Sequence, residues 1–178
     1  KLYHMFAAEL SEDKDIDNLS KAIIPDILIN CAGVFPSGPL EKTDIEVFDK
    51  CFAVNVRAPF LLMQKYIPSM KNRTWGRIIN IGSSSSYSGF PDTSVYCATK
   101  HALLGLTRSA FNECKEYNVR VMSVSPGSIK TPMGKFVKGQ DYNTFIEPKE
   151  AAKFIIDLLK YDGTMVCDEV RINRMFVQ

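Results

Sequence analysis

Residues Arg77–Lys100, RIINIGSSSSYSGFPDTSVYCATK, are the most informative part of the chain. A β-branched run, Ile78, Ile79 and Ile81, ends in a polar patch that begins at Ser83. Tyr96 follows thirteen residues later and Lys100 four after that, on a segment that reads as a long helix. Positions i and i+4 share a helix face, so Tyr96 and Lys100 point at the same volume. A strand end that supplies a hydroxyl, opposite a helix that supplies a phenol beside an ammonium, is suited to moving a proton on or off a carbonyl or alcohol oxygen.

The residue types fit that chemistry. A free phenol titrates near 10 and is a poor base at neutral pH. An ammonium ~4 Å away, at an effective dielectric of ~20, contributes roughly 4 kcal/mol, enough to bring Tyr96 toward neutrality. Desolvation of both groups pushes the other way. Ser83 is placed to hydrogen-bond the substrate oxygen and hold it against the phenol.

Other motifs fall in order around this stretch. Asn30-Cys31-Ala32-Gly33 closes the apolar run Asp26-Ile27-Leu28-Ile29, and Asn55 lies inside a helical segment. Pro126-Gly127, followed by Thr131, closes another strand candidate. The order Asn-x-Ala-Gly, Asn, Ser, Tyr-x-x-x-Lys, Pro-Gly-x-x-x-Thr resembles the short-chain dehydrogenase/reductase family along essentially the whole chain. The resemblance implies a doubly wound, mostly parallel α/β sheet of Rossmann type, forming one domain over residues 1–178.

It also implies roles. Tyr96 becomes the general acid/base, with Lys100 lowering its pKa and binding the nicotinamide ribose. Ser83 orients the substrate oxygen, and Asn55 anchors a water that links Lys100 to solvent. Asn30, Ala32 and Gly33 would border the adenosine ribose, where small residues allow close approach. Glu9 and Leu10 fall where the family contacts adenine, and Pro126, Gly127, Ile129 and Thr131 would line the nicotinamide. The cofactor is NAD or NADP, and the substrate a small-molecule carbonyl or alcohol. Two positions depart from the common pattern: Cys31 replaces an asparagine and Gly82 replaces a serine. Ser83 alone among serines 83 to 86 has the matching spacing to Tyr96.

The family's opening glycine-rich turn, which cradles a pyrophosphate at a helix N-terminus, has no counterpart among these residues. Tyr3-His4-Met5-Phe6-Ala7 resembles the family's third strand. The first βαβα segment is therefore expected to be missing, and the isolated chain to bind dinucleotides weakly or not at all. Strands at 3–7 and 26–30 should then lie apart rather than pair.

Composition is compatible with this reading. The chain has 178 residues, 46% of them hydrophobic, enough for one sizeable core. A net charge of +2 without a basic run argues against nucleic-acid binding. Five cysteines without Cys-x-x-Cys spacing read as reduced thiols of a cytoplasmic protein. Two histidines without companions argue against a metal site. No apolar run is long enough to span a membrane.

Strands are expected at 3–7, 26–30, 77–82, 119–125 and 165–172. Thr43-Asp44-Ile45-Glu46 carries a capping-box pattern that opens a helix. Val56, Phe60, Met63, Ile67 and Met70 continue an apolar stripe, and further helices run from about Ser94 to Glu116 and from near Pro148. By resemblance, the stripe and Leu103, Leu106, Ala110 and Phe111 would pair with a second copy in a homodimer or homotetramer. Tyr142, Phe145, Met133 and Phe136 are expected to form an apolar wall against the substrate. The implied activity is hydride transfer between a nicotinamide cofactor and a carbonyl or alcohol. A scaffold subunit that lost the chemistry, and a dehydratase or epimerase using the same Tyr and Lys, are the alternatives.

Overall fold

Short β-branched strands buried on both faces set the architecture. The computed structural model describes residues 4–175. Helix α1 (Asp13–Ala22) precedes β1 (Ile27–Asn30), and α2 (Ile45–Phe52) runs through a π-helical segment (Ala53–Arg57) into α3 (Ala58–Asn72). Then come β2 (Gly76–Ile81), α4 (Ser94–Cys114), β3 (Val119–Pro126), α5 (Pro148–Leu158) and β4 (Glu169–Ile172). The four strands among the described residues are parallel, in the order β1-β2-β3-β4.

Successive strand side chains face opposite sides of the sheet, and each side has its own core. Ile78, Val119 and Val121 pack with Ile16 of α1, Leu62, Met63, Tyr66 and Met70 of α3, and Ala110 and Cys114 of α4. Ile79, Met122 and Val124 pack with Leu158 of α5 on the other side. Each such fully buried aliphatic side chain contributes roughly 1.5–3 kcal/mol. Helices on both faces of a parallel sheet make the doubly wound arrangement implied by the resemblance.

Several local expectations change. Residues 4–7 form no strand and make no ladder with β1, whose only strand partner among the described residues is β2. Tyr3, the first residue of that expected strand, lies outside the described residues. On the α5 side of the sheet, Ile27 and Ile29 are about two-fifths exposed. The capping box is not formed: Thr43 Oγ1 donates to the Pro39 carbonyl at 3.0 Å, and Asp44 takes the N-cap without a side-chain bond. Residues 165–168 run irregularly before the short β4. Helix α1 carries little periodic signal in the sequence, because its apolar anchors are Ile16 and Leu19 in a charged segment.

Candidate active site

The carboxyl ends of β1, β2 and β3 open toward the first turns of α4. Ser83 follows β2 in extended backbone and caps the short 3-10 turn Ser84–Ser86 reciprocally. Its Oγ accepts from Ser85 N at 3.1 Å, while Ser86 Oγ accepts from Ser83 N at 3.1 Å. The serine run is thus a device for fixing one hydroxyl. Gly82 is required beside it, since a Cβ there would lie 2.3 Å from Ser125 Oγ and 3.1 Å from Ser86 Oγ.

Tyr96 and Lys100 share one face of α4 and are both buried, with the ammonium 5.6 Å from the phenol ring centroid. Phe35 meets the Tyr96 ring edge-on at 4.7 Å, a packing contact that the sequence did not reveal. Lys100 Nζ donates to the Ile81 carbonyl at 2.8 Å, which ties the helix to the end of β2. Burial lowers Lys100 from 10.5 to about 8, so it is charged at neutral pH. The expected depression of the Tyr96 pKa is reversed. Burial pushes the phenol above its ordinary value, and the Ser83 hydroxyl beside it pulls only partly back. At neutral pH Tyr96 therefore carries its proton.

Asn55 sits within the π-helical segment, fully buried. Pro59, four residues on, has no N–H, so the Asn55 carbonyl lacks the partner an α-helix would supply. Its side chain is fully engaged. Oδ1 accepts from Val34 N at 2.9 Å, and Nδ2 faces the Val34 carbonyl at 3.0 Å and Thr99 Oγ1 at 3.1 Å. With both amide hydrogens taken, Asn55 can hold a water only as an acceptor.

The other expected site residues divide. Gly33 belongs to the cluster: a Cβ there would lie 3.3 Å from Asn55 Oδ1 and 3.9 Å from Lys100 Nζ. Ala32 is exposed in the same loop. The Asn30 side chain is buried and turned along the sheet. Its Nδ2 donates to Asn80 Oδ1 at 2.7 Å, and Asn80 donates on to Thr107 of α4 at 2.9 Å, in a buried chain across β1 and β2. Pro126 ends β3, and Gly127 N donates to the Ile172 carbonyl at 2.7 Å. Ile129 bridges to Ile146, and Thr131 Oγ1 accepts from Gly134 N at 3.1 Å. Glu9 is exposed and accepts from Ser11, while Leu10 packs against the α3-side core. The expected apolar wall splits, with Phe145 buried against Tyr142 and Phe136 exposed.

Comparison with known proteins decides the family. The short chain dehydrogenase family model matches residues 2–141. The chain belongs to the short-chain dehydrogenase family. It is 41% identical over 123 residues to an uncharacterized oxidoreductase of Thermotoga maritima, covering 66% of this chain and 49% of that protein. A 4-hydroxyisoleucine dehydrogenase mutant complexed with NADH and succinate superposes with a TM-score of 0.84 at 30% identity, covering 93% of this chain and 76% of that one. A metagenomic short-chain oxidoreductase in complex with NADP gives 0.82 at 30%, with 96% and 73% covered. The chain spans about half the length of the curated relatives it matches.

Two further features concern the chain's surface and interior. A groove of about 670 Å³ lies away from Tyr96, lined by Phe52, Val56, Arg57, Phe60 and Leu106 among others. Leu103 and Ala110, expected to face a second copy, are instead buried in the chain's own interior. Among the described residues, no helix is long and apolar enough to cross a membrane, and no cluster of His, Cys, Asp or Glu could hold a metal ion.

Proposed function

We propose that this chain carries the proton-transfer site of an NAD- or NADP-dependent oxidoreductase acting on a small carbonyl or alcohol. The observation that carries the reading is the convergence of Ser83, Tyr96 and Lys100 beside Asn55, with the phenol and ammonium both buried. The residues fit the ribose end of a dinucleotide. Among the described residues Lys100 Nζ has one acceptor, the Ile81 carbonyl, which leaves two of its three N–H groups for ribose hydroxyls. Gly33 keeps the space above Lys100 free, because a side chain there would enter it.

A nicotinamide, when bound, supplies or accepts the hydride. Ser83 donates to the substrate oxygen and holds it against the phenol. In reduction Tyr96 gives its proton to that oxygen, the C=O π bond becomes a C–O single bond, and the alcohol leaves. In oxidation Tyr96 takes the hydroxyl proton back. Its raised pKa makes it an acid at neutral pH, so reduction suits neutral pH and oxidation a higher one. Lys100, charged at pH 7, stabilises the phenolate left behind and passes a proton to it. The assembly proposed is a homodimer or homotetramer, with the Phe52–Phe60 groove as the face covered.

The experiment is Tyr96→Phe in the full-length protein, with turnover and cofactor affinity measured together. Turnover should fall more than tenfold, a loss above ~1.4 kcal/mol in the transition state, with the cofactor dissociation constant within about threefold. Retention of more than a tenth of the rate would overturn the role given to Tyr96.

A further inference from the structure

Thr99 lies between Tyr96 and Lys100 on α4 and is fully buried. Its hydroxyl donates its single hydrogen to the Tyr96 carbonyl at 2.8 Å. It can therefore only accept from Asn55 Nδ2, at 3.1 Å and 44 residues away in sequence. A threonine bonded to the carbonyl three residues back is ordinary in helices, but that contact uses only the donor half of the hydroxyl. The acceptor half is aimed at Asn55, whose Oδ1 borders the space over Gly33 that Lys100 Nζ also borders.

We propose that Thr99 is a positioning residue for proton transfer at Tyr96, locking Asn55 against the helix that carries Tyr96 and Lys100. The inference rests on the function proposed above. Asn55 Nδ2 has two hydrogens and three acceptors within reach: Val34 O at 3.0 Å, Thr99 Oγ1 at 3.1 Å and Cys51 Sγ at 3.3 Å. Sulfur is the weakest acceptor of the three. With the Thr99 hydroxyl present, the second hydrogen goes to oxygen. Without it, that hydrogen has only the Cys51 sulfur, and the amide turns toward it. Asn55 Oδ1 borders the space over Gly33, which Lys100 Nζ also borders. A rotation of Asn55 is thus felt where Lys100 acts. Thr99 touches no reacting atom, so its effect passes through Asn55 and the Tyr96 backbone.

The test uses Thr99→Val, which keeps the shape and removes the hydroxyl, with Thr99→Ser as rescue and Thr99→Ala in case valine fails to fold. All are made in the full-length protein. Thr99→Val or Thr99→Ala should lower kcat about tenfold or more while the KM for the dinucleotide stays within about threefold, and Thr99→Ser should recover to within about threefold of wild type. In an Asn55→Ala background, Thr99→Val should cost less than about twofold further, since its partner is gone. An undiminished kcat in Thr99→Val, or the same fold-loss in both backgrounds, would overturn the inference. Tyr96→Phe in the same assay separates the two readings. If it is inactive while Thr99→Val is unimpaired, only the positioning role fails; if it stays active, the proposed function fails and this role with it.

Discussion

Exchanging Lys100 for methionine should make the protein more stable at neutral pH while it abolishes turnover, because burying this ammonium works against folding. Lys100 is 95% buried, and its pKa falls from 10.5 to about 8. Below pH 8 the lysine is protonated in both folded and unfolded chains, and the full cost of burying the charge is felt. Between 8 and 10.5 the folded chain has lost the proton and the unfolded chain has not, so wild-type stability rises with pH. That interval corresponds to about 3 kcal/mol. Methionine has similar length and no charge, but it removes the 2.8 Å bond to the Ile81 carbonyl. Leaving that carbonyl unpaired costs about 1–2 kcal/mol. The variant should therefore be more stable by about 1–2 kcal/mol at pH 7. Its advantage should shrink by about 1.4 kcal/mol per pH step between 8 and 10 and change sign. Urea unfolding of both full-length proteins, in parallel and without dinucleotide, measures the difference at each pH. A difference that does not vary with pH, or a wild type more stable than the variant at pH 7, would refute the reasoning.

Two further substitutions probe packing and charge around the sheet. Gly82→Ala should destabilise by about 1–3 kcal/mol through overpacking, because its Cβ would lie 2.3 Å from Ser125 Oγ. Adding Ser125→Ala should recover most of that loss, and independent, additive effects in the double variant would show that the crowding lies elsewhere. At the other end of the sheet, Arg77 and Arg120 are register partners on β2 and β3, both buried, with Asp162 the carboxylate that pairs Arg77. Backbone carbonyls of Asn118, Tyr161 and Met165 take further guanidinium hydrogens. Asp162→Asn should lower stability by about 1–3 kcal/mol, less than for a fully buried pair because Asp162 is itself half exposed. A thermal midpoint lower by several degrees is expected, and an unchanged midpoint would assign the compensation to the carbonyls alone.

The family and the central strands of the sheet are legible in the sequence. Spacing placed Tyr96 and Lys100 on one helix face, and the β-branched run Ile78, Ile79 and Ile81 marked a strand. The ordered motifs from Asn30 to Thr131 led to the family that the comparison later showed. These signals are local or depend on order along the chain, and both survive in one dimension. Only the tertiary structure decided which way each polar group faces. Asn30 lies in the expected loop, yet its amide serves Asn80 and Thr107. Asn55 is held by Val34, Cys51 and Thr99, which come from a loop and two helices. The direction of the Tyr96 pKa also depended on the fold, since burial outweighed the neighbouring groups and no spacing rule measures burial. Helix α1 has only Ile16 and Leu19 to mark its buried face, and residues 4–7 read as a strand although none of the described residues pairs with them. A hydrogen bond or a desolvated charge depends on what lies across space, and the positions of Ser83, Asn55 and Thr99 along the chain do not specify that.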